Sequence, residues 1–164
     1  MALTVDRTPH APASAAHSLR AFIETLEREH PDQVIHVTEP VDQARFEVAA
    51  VLKHLELRRR YPLVVFDRPL DLHGRPSPFP IATNLYATRE RCALALGLRR
   101  EDALVGLSLE YARREERLLE PETVDAADAP VKEHVSIGDV VDLRDLPIVR
   151  HHEMDAGPYI DMTS

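Results

Sequence analysis

Leu63-Val64-Val65-Phe66 is a continuous apolar run, and it decides the fold. Such a run predicts a strand covered on both faces, because successive side chains of a strand point to opposite sides. A second strand is predicted at Val34 to Val37, and a short strand or turn at Ile81 to Leu85. Helical patterns alternate with these segments, which is typical of the α/β class. We therefore predict an α/β fold.

Apolar periodicity and capping residues place helices around these strands. The first begins after Ser18, and the others are predicted at Gln43 to Arg58, Arg89 to Leu96 and Glu101 to Glu120. Ser18, Asp42 and Thr88 carry side-chain oxygens that suit N-caps, and Gly97 suits the C-terminal end of a helix.

Composition divides the chain into three parts. Residues 1–17 are small and polar without apolar periodicity, so we expect a disordered leader. Residues 18–120 carry the pattern of an N-terminal α/β domain. Residues 122–130 are acidic and rich in Ala, and we therefore predict that residues 121–164 are a linker and the first strands of a second domain. The candidate strands or extended pieces of this part are Val131 to Val135 and Val140 to Leu143.

The last residues form a turn followed by a strand-like alternation. Asp155-Ala156-Gly157-Pro158 leads into Tyr159-Ile160-Asp161-Met162-Thr163, and Ser164 is the final residue. A strand needs a ladder partner for its backbone groups. We therefore expect the chain to be the front part of a larger structure, truncated as its second unit begins.

The composition argues against several function classes. The net charge of −8 disfavours a nucleic-acid partner, which selects positive surfaces. No apolar run approaches the roughly 20 residues of a membrane span, and the N-terminus lacks the pattern of a signal peptide, so a cytoplasmic protein is expected. Cys92 is the only cysteine, which excludes an intramolecular disulfide and predicts a small buried residue on a helix.

The chain lacks the common phosphate and nucleophile motifs. Its five glycines are too dispersed for a G-x-G-x-x-G or Walker loop, and neither G-x-S-x-G nor H-E-x-x-H occurs. The densest group of metal-type ligands is His151-His152-Glu153-x-Asp155. Because adjacent histidines of an extended chain face opposite sides, we favour a polar turn over a metal site.

Three other polar features have structural interpretations. The run Arg58-Arg59-Arg60 ends a predicted helix, where cations complement the helix dipole, and this is favoured over phosphate binding. Asn84 is predicted to be a turn residue. Arg89 is predicted to form a surface or interdomain ion pair.

Six segments in order resemble the N-terminal region of the UbiD family, the decarboxylases that depend on prenylated flavin. The segment Asn84 to Gly97 is close to the family's "NLFGTRERxALALG", and Ala129 to Glu133 matches its "APVKE". The remaining matches are Leu19 to Leu26, Phe46 to Ala50, Pro62 to Asp67, and Leu146-Pro147 with Asp155 to Ile160. The chain departs from the family at Ala87, at Asp161 and in the Pro-rich loop before Ile81.

The resemblance implies an N-terminal α/β domain followed by the start of a flavin-binding split β-barrel. The implied cofactors are prenylated FMN, Mn²⁺ and K⁺, whose ligands, like the catalytic residues, would lie beyond residue 164. Met162 and Thr163 are the candidate cofactor neighbours, since the residues after Tyr159-Ile160 lie near the flavin in the family. The implied partners are an aromatic or unsaturated acid, a UbiX-like flavin prenyltransferase and further copies in a homo-oligomer.

The predicted function is therefore the N-terminal part of a non-oxidative decarboxylase or carboxylase, inactive alone. Two alternatives remain at this point. The chain could be a non-catalytic subunit that docks on a separate flavin-barrel polypeptide, or a degenerate paralogue with a scaffolding role.

Overall fold

Helices and short strands alternate in the computed structural model, which describes residues 18–117, 120–121 and 123–160. The elements are α1 (Leu19–Glu29), β1 (Val34–Val37), α2 (Glu47–Leu57), β2 (Leu63–Phe66), β3 (Ile81–Thr83), α3 (Arg89–Ala95) and α4 (Val105–Glu115). The mixed α/β class is thus confirmed. The predicted leader, residues 1–17, lies outside the described residues.

The three strands form one sheet with β2 in the centre. β1 pairs with β2 in parallel, with Val34 opposite Leu63, and β3 pairs with β2 in antiparallel, with Thr83 opposite Val64. A parallel pair needs a crossover connection, and α2 lies in the segment between β1 and β2.

The side chains of β2 pack into clusters on both faces of the sheet. Leu63 and Val65 pack with Leu26 of α1, whereas Val64 and Phe66 pack with residues of α2 such as Val48. All of the β2 residues are buried, which confirms the prediction made from the apolar run.

Two predicted caps and one helix end are confirmed. Ser18 Oγ accepts a hydrogen bond from Ala21 N at 3.1 Å, and Thr88 Oγ1 accepts one from Arg91 N at 3.3 Å. Gly97 has φ +73° directly after the C-cap of α3, a backbone conformation that glycine adopts without strain.

The second and fourth predicted helices are shorter than expected. Asp42 caps a 3₁₀ turn at Gln43–Arg45, and Phe46 then adopts φ 66°, so that α2 begins only at Glu47. A 3₁₀ turn at Arg100–Asp102 similarly precedes α4, which ends at Glu115. In both places a local i→i+3 bond replaces the first turn of the predicted α-helix.

Arg91 of α3 ties several chain segments together from a buried position. Its Nε donates to Leu85 O at 3.2 Å, its Nη1 to Gln33 Oε1 at 3.0 Å, and its Nη2 to Asn84 O at 2.9 Å and to Tyr61 O. Only 1% of the residue is exposed, and burial lowers the pKa of its guanidinium. A single side chain thus joins the segments just before β1 and β2 to the segment just after β3.

His36 of β1 lies between two carboxylates. Its Nδ1 is 2.9 Å from Asp67 Oδ1, at the end of β2, and its Nε2 is 2.7 Å from Glu27 Oε1 of α1. The hydrogen bonds to Asp67 and then to Glu27 raise the pKa of His36. The imidazole therefore links α1 to the parallel strand pair through both of its ring nitrogens.

We expect His36→Asn to cost more stability at about pH 6 than at about pH 9. A raised histidine pKa stabilises the folded state below the unfolded value of about 6.5, and this stabilisation is lost as the pH rises through the folded value. Because 40% of the side chain is exposed, we expect screening to keep the difference below about 1 kcal/mol.

Urea unfolding of the wild type and the variant at both pH values measures this effect. His54→Asn, on an exposed position of α2, is the matched control. An equal loss of stability at both pH values, or an equal pH dependence in the control, would contradict the role given to His36.

Candidate functional site

Residues 142–160 form an arm that leads to the predicted cofactor neighbours. Val149 is buried in the cluster that α2 forms with the sheet. Arg150 N donates to Gln43 O at 3.3 Å, and the arm then turns back so that Tyr159 N donates to Val149 O at 3.0 Å. The arm is therefore fixed to the preceding part of the chain by the Val149 side chain and by the backbone hydrogen bond to Gln43, and it is closed on itself by the bond from Tyr159.

Among the described residues after residue 121, the segments predicted as strands or extended pieces have no strand assignment. Val131 to Val135 and Val140 to Leu143 fall largely in 3₁₀ turns and irregular chain, and Tyr159-Ile160 has no strand assignment. The 3₁₀ turns are Pro130–Lys132, Gly138–Val140 and Leu143–Asp145. Local bonds such as Lys132 N to Ala129 O, and the capping of Arg144 N by Asp142, replace the expected ladder contacts.

The His151-His152-Glu153-x-Asp155 group is a polar turn. The Asp155 carboxylate accepts hydrogen bonds from His151 N at 3.0 Å and His152 N at 2.7 Å, and these bonds lower its pKa. The His151 ring packs against the Tyr159 ring in a tilted arrangement, with 5.1 Å between the ring centroids. The turn interpretation is therefore confirmed, and Asp155 orients the end of the arm.

A cavity of about 640 Å³ lies between α2 and the arm. Its lining combines the small side chains of Ala49 and Ala50 with the polar residues Lys53, Asn84 and His151. The Arg150 guanidinium lies 5.3 Å from the centre of the Phe46 ring, so a cation–π contact joins the start of α2 to the arm.

Several buried polar atoms beside the arm have no hydrogen-bond partner within the described part of the chain. They are both amide atoms of Gln43, Oγ1 of Thr83 and Nε of Arg150. Gln43 is fully buried and Thr83 nearly so. No sequence pattern predicts the burial of Gln43, because its position resembles any other in the predicted helix. These atoms could therefore accept or donate further hydrogen bonds where the arm contacts the segments of Gln43 and Thr83.

Ion pairs connect the Pro-rich loop to the start of the arm. His73 Nε2 lies 3.2 Å from Asp142 Oδ2, and Arg75 Nη2 lies 2.7 Å from Asp145 Oδ1. Arg144 holds the pKa of Asp142 well below its usual range. His73, Asp142 and Asp145 are also the one group with metal-ligand spacing among the described residues. Because Arg75 and Arg144 already bind their carboxylates, we assign this group to fixing the arm.

The predicted site residues have different outcomes. Met162 and Thr163 lie outside the described residues, so their cofactor role stays a prediction. Asn84 is a turn residue as expected, with φ 58°. The ion pair predicted for Arg89 is wrong, because its guanidinium donates to Ala103 O and Leu104 O, carbonyls at the start of α4. Cys92 lies on α3 but is only half-buried, and its Sγ donates to Tyr86 O at 3.5 Å.

None of the helices in the described ranges is long and apolar enough to cross a membrane.

Comparison with family models matches the chain in two consecutive parts. Residues 23–108 match the N-terminal domain of 3-octaprenyl-4-hydroxybenzoate carboxy-lyase, and residues 122–164 match the Rift-related domain of the same enzyme. A phenolic acid decarboxylase of Sedimentibacter hydroxybenzoicus is 31% identical over 153 residues. That alignment covers 93% of this chain and 30% of the relative, so the chain spans less than a third of the relative's length. No solved structure matches the chain.

Proposed function

The chain belongs to the UbiD family of carboxy-lyases, and from this premise we propose that it is the N-terminal part of a non-oxidative decarboxylase or carboxylase. The observation that carries the proposal is the order of the two family matches, which run from residue 23 to residue 164. The proposed substrate is an aromatic or α,β-unsaturated carboxylic acid. The name of the phenolic acid decarboxylase relative supports an aromatic acid.

The cofactor proposed from the family is prenylated FMN with Mn²⁺ and K⁺. The described residues do not fit its metal centre, because the carboxylates of the His73, Asp142 and Asp145 group are bound by arginines. We therefore propose that the metal ligands and the catalytic residues belong to sequence after Ser164. Met162 and Thr163 remain the proposed cofactor neighbours in this chain.

The arm gives the described residues a role in this function. Val149, the Arg150–Phe46 contact and the loop ion pairs fix the middle of the Rift-related match on the N-terminal domain. Asp155 then fixes the turn before Tyr159. We propose that these contacts set the position from which the chain enters its cofactor-binding part. They act by positioning and take no part in the chemistry.

A second candidate function is supported by exposed apolar side chains after residue 121. Val131 is 81% exposed and Met154 93% exposed, and Ile137 and Ile160 are also largely exposed. Covering these side chains with another structure would be favourable, because it removes their apolar surface from water. A separate polypeptide that carries the flavin barrel would cover them as well as a continuing chain, which gives a docking subunit as the alternative.

We expect the 164-residue chain alone to release no CO₂ from phenolic acids. The complete reading frame, co-expressed with a flavin prenyltransferase, should be active, because only then are the cofactor and the catalytic residues present. The measurement is CO₂ release over a panel of phenolic and cinnamate-like acids. The complete frame without the prenyltransferase is the control.

Two results would change the proposal. Decarboxylation by the isolated chain would show that the proposal places the catalytic residues wrongly. A stop codon directly after Ser164, together with co-purification of a flavin-containing polypeptide, would favour the docking subunit instead.

A further inference from the structure

A small cavity of about 170 Å³ lies beside the buried guanidinium of Arg91. The charged residues in its lining are Asp32, Arg60 and Arg91, and Thr88 adds a hydroxyl group. The charge of this cavity is therefore set by two arginines and one carboxylate. None of these residues lines the cavity between α2 and the arm.

Arg91 brings an uncompensated positive charge to the cavity. Its four hydrogen bonds go to backbone carbonyls and to the Gln33 amide, and no carboxylate within the described ranges is among its partners. A guanidinium has five N–H donors, so one donor remains, on Nη1. A buried charge without a counter-ion is costly, and an anion beside it would reduce that cost.

Arg60 provides a second cation with free donors. Its backbone N–H bonds to Leu55 O at 3.0 Å, which fixes the chain after α2, while its guanidinium has no hydrogen bond within the described residues. Arg58 instead donates to His54 O at 3.2 Å, as expected of a cation at a helix end. The run Arg58-Arg59-Arg60 is therefore divided, with Arg58 completing the helix and Arg60 lining the cavity.

Asp32 opposes an anion, but its charge is already paired. Its carboxylate accepts hydrogen bonds from Gln33 Nε2 at 2.9 Å and from Arg100 Nη2 at 2.9 Å. Both bonds lower the pKa of Asp32, and the bond from Gln33 has the larger effect. The carboxylate therefore stays ionised. Because Arg100 balances the charge of Asp32, the charges of Arg60 and Arg91 give the cavity a net positive charge.

We propose that this cavity binds a small oxyanion of the phosphate type. The donors are the guanidinium of Arg60, the remaining N–H of Arg91 and the hydroxyl hydrogen of Thr88, whose oxygen already accepts from Arg91 N. Arginine suits this role because its planar fork of donors matches the oxygens of phosphate. The site is independent of the decarboxylase chemistry proposed above.

The test is titration of the purified chain with inorganic phosphate, followed by calorimetry at constant ionic strength. We expect saturable binding, and we expect Arg60→Gln to raise the Kd by about tenfold through loss of charge-assisted hydrogen bonds. Arg59→Gln is the matched control, because it removes the same charge from the neighbouring residue, which does not line the cavity. Asp32→Asn should lower the Kd.

Each outcome decides the proposal. Absence of saturable binding to the wild type at millimolar phosphate would overturn it, and so would equal weakening by Arg60→Gln and Arg59→Gln, which would indicate only general attraction to surface charge. Opposite shifts of the Kd in Arg60→Gln and Asp32→Asn would support it. Both changes lie at the surface, and far-ultraviolet circular dichroism confirms that the variants are folded.

Discussion

Arg91→Met should lower the free energy of unfolding by about 3 to 5 kcal/mol, the largest effect we expect for a polar residue in this chain, because four acceptors lose their donor. The substitution keeps an unbranched side chain in the space but removes every donor. It leaves the carbonyls of Tyr61, Asn84 and Leu85 and the Gln33 amide oxygen without their shared partner. Buried acceptors that lose a hydrogen bond each cost about 1 to 3 kcal/mol before relaxation.

Urea unfolding followed by circular dichroism measures this loss. Arg20→Met, at an exposed position of α1, is the matched control and should change stability by less than about 0.5 kcal/mol. Arg91→Lys should recover only part of the loss, because a compact ammonium cannot reach all of these oxygens at once. If Arg91→Met were as stable as the control, the hydrogen bonds of Arg91 to these oxygens would not contribute to the stability of the fold.

Phe66→Ala is the second large effect, and we expect it to cost about 3 to 5 kcal/mol. Phe66 is 0% exposed and ends the central strand, where it packs in the cluster shared by α2, the sheet and Val149 of the arm. Its removal leaves a cavity that a close-packed interior fills only in part. The loss should also loosen the arm, because Val149 packs in the same cluster.

The matched control makes the same substitution at an exposed site. Phe79 is 54% exposed, so Phe79→Ala should cost much less than Phe66→Ala in the same urea experiment. Limited proteolysis gives an independent measure of the arm, and cleavage within residues 142–160 should increase only in Phe66→Ala. Equal losses in the two variants would contradict the placement of the core around β2.

The fold could be predicted where single residues decide local structure. The apolar run of β2 indicates a strand buried on both faces, and the oxygens of Ser18 and Thr88 fix the starts of their helices. The break before α2 could not be predicted, because it requires Phe46 in a left-handed conformation that sequence patterns seldom assign to a bulky residue. The burial of Arg91 depends on carbonyls from distant segments, which periodicity does not reveal.

The arm was predicted less well, for a related reason. Its local alternation suggested strands, but the contacts that fix it come from the Pro-rich loop and from Gln43, both far away in sequence. Asp155 was correctly assigned to a polar turn, since its hydrogen bonds reach only three and four residues back. Local contacts can thus be derived from spacing, whereas the docking of the arm needs the tertiary structure.

The separation in sequence between the arm and its anchors has a consequence during protein synthesis. His73 precedes Asp142 by 69 residues, and Arg75 precedes Asp145 by 70. At about 5 to 20 residues per second, a ribosome needs several seconds to make the intervening chain. During that interval the apolar surface that later receives Val149 stays uncovered on the nascent chain. Translation speed through this region therefore sets how long chaperones and neighbouring nascent chains have access to that surface.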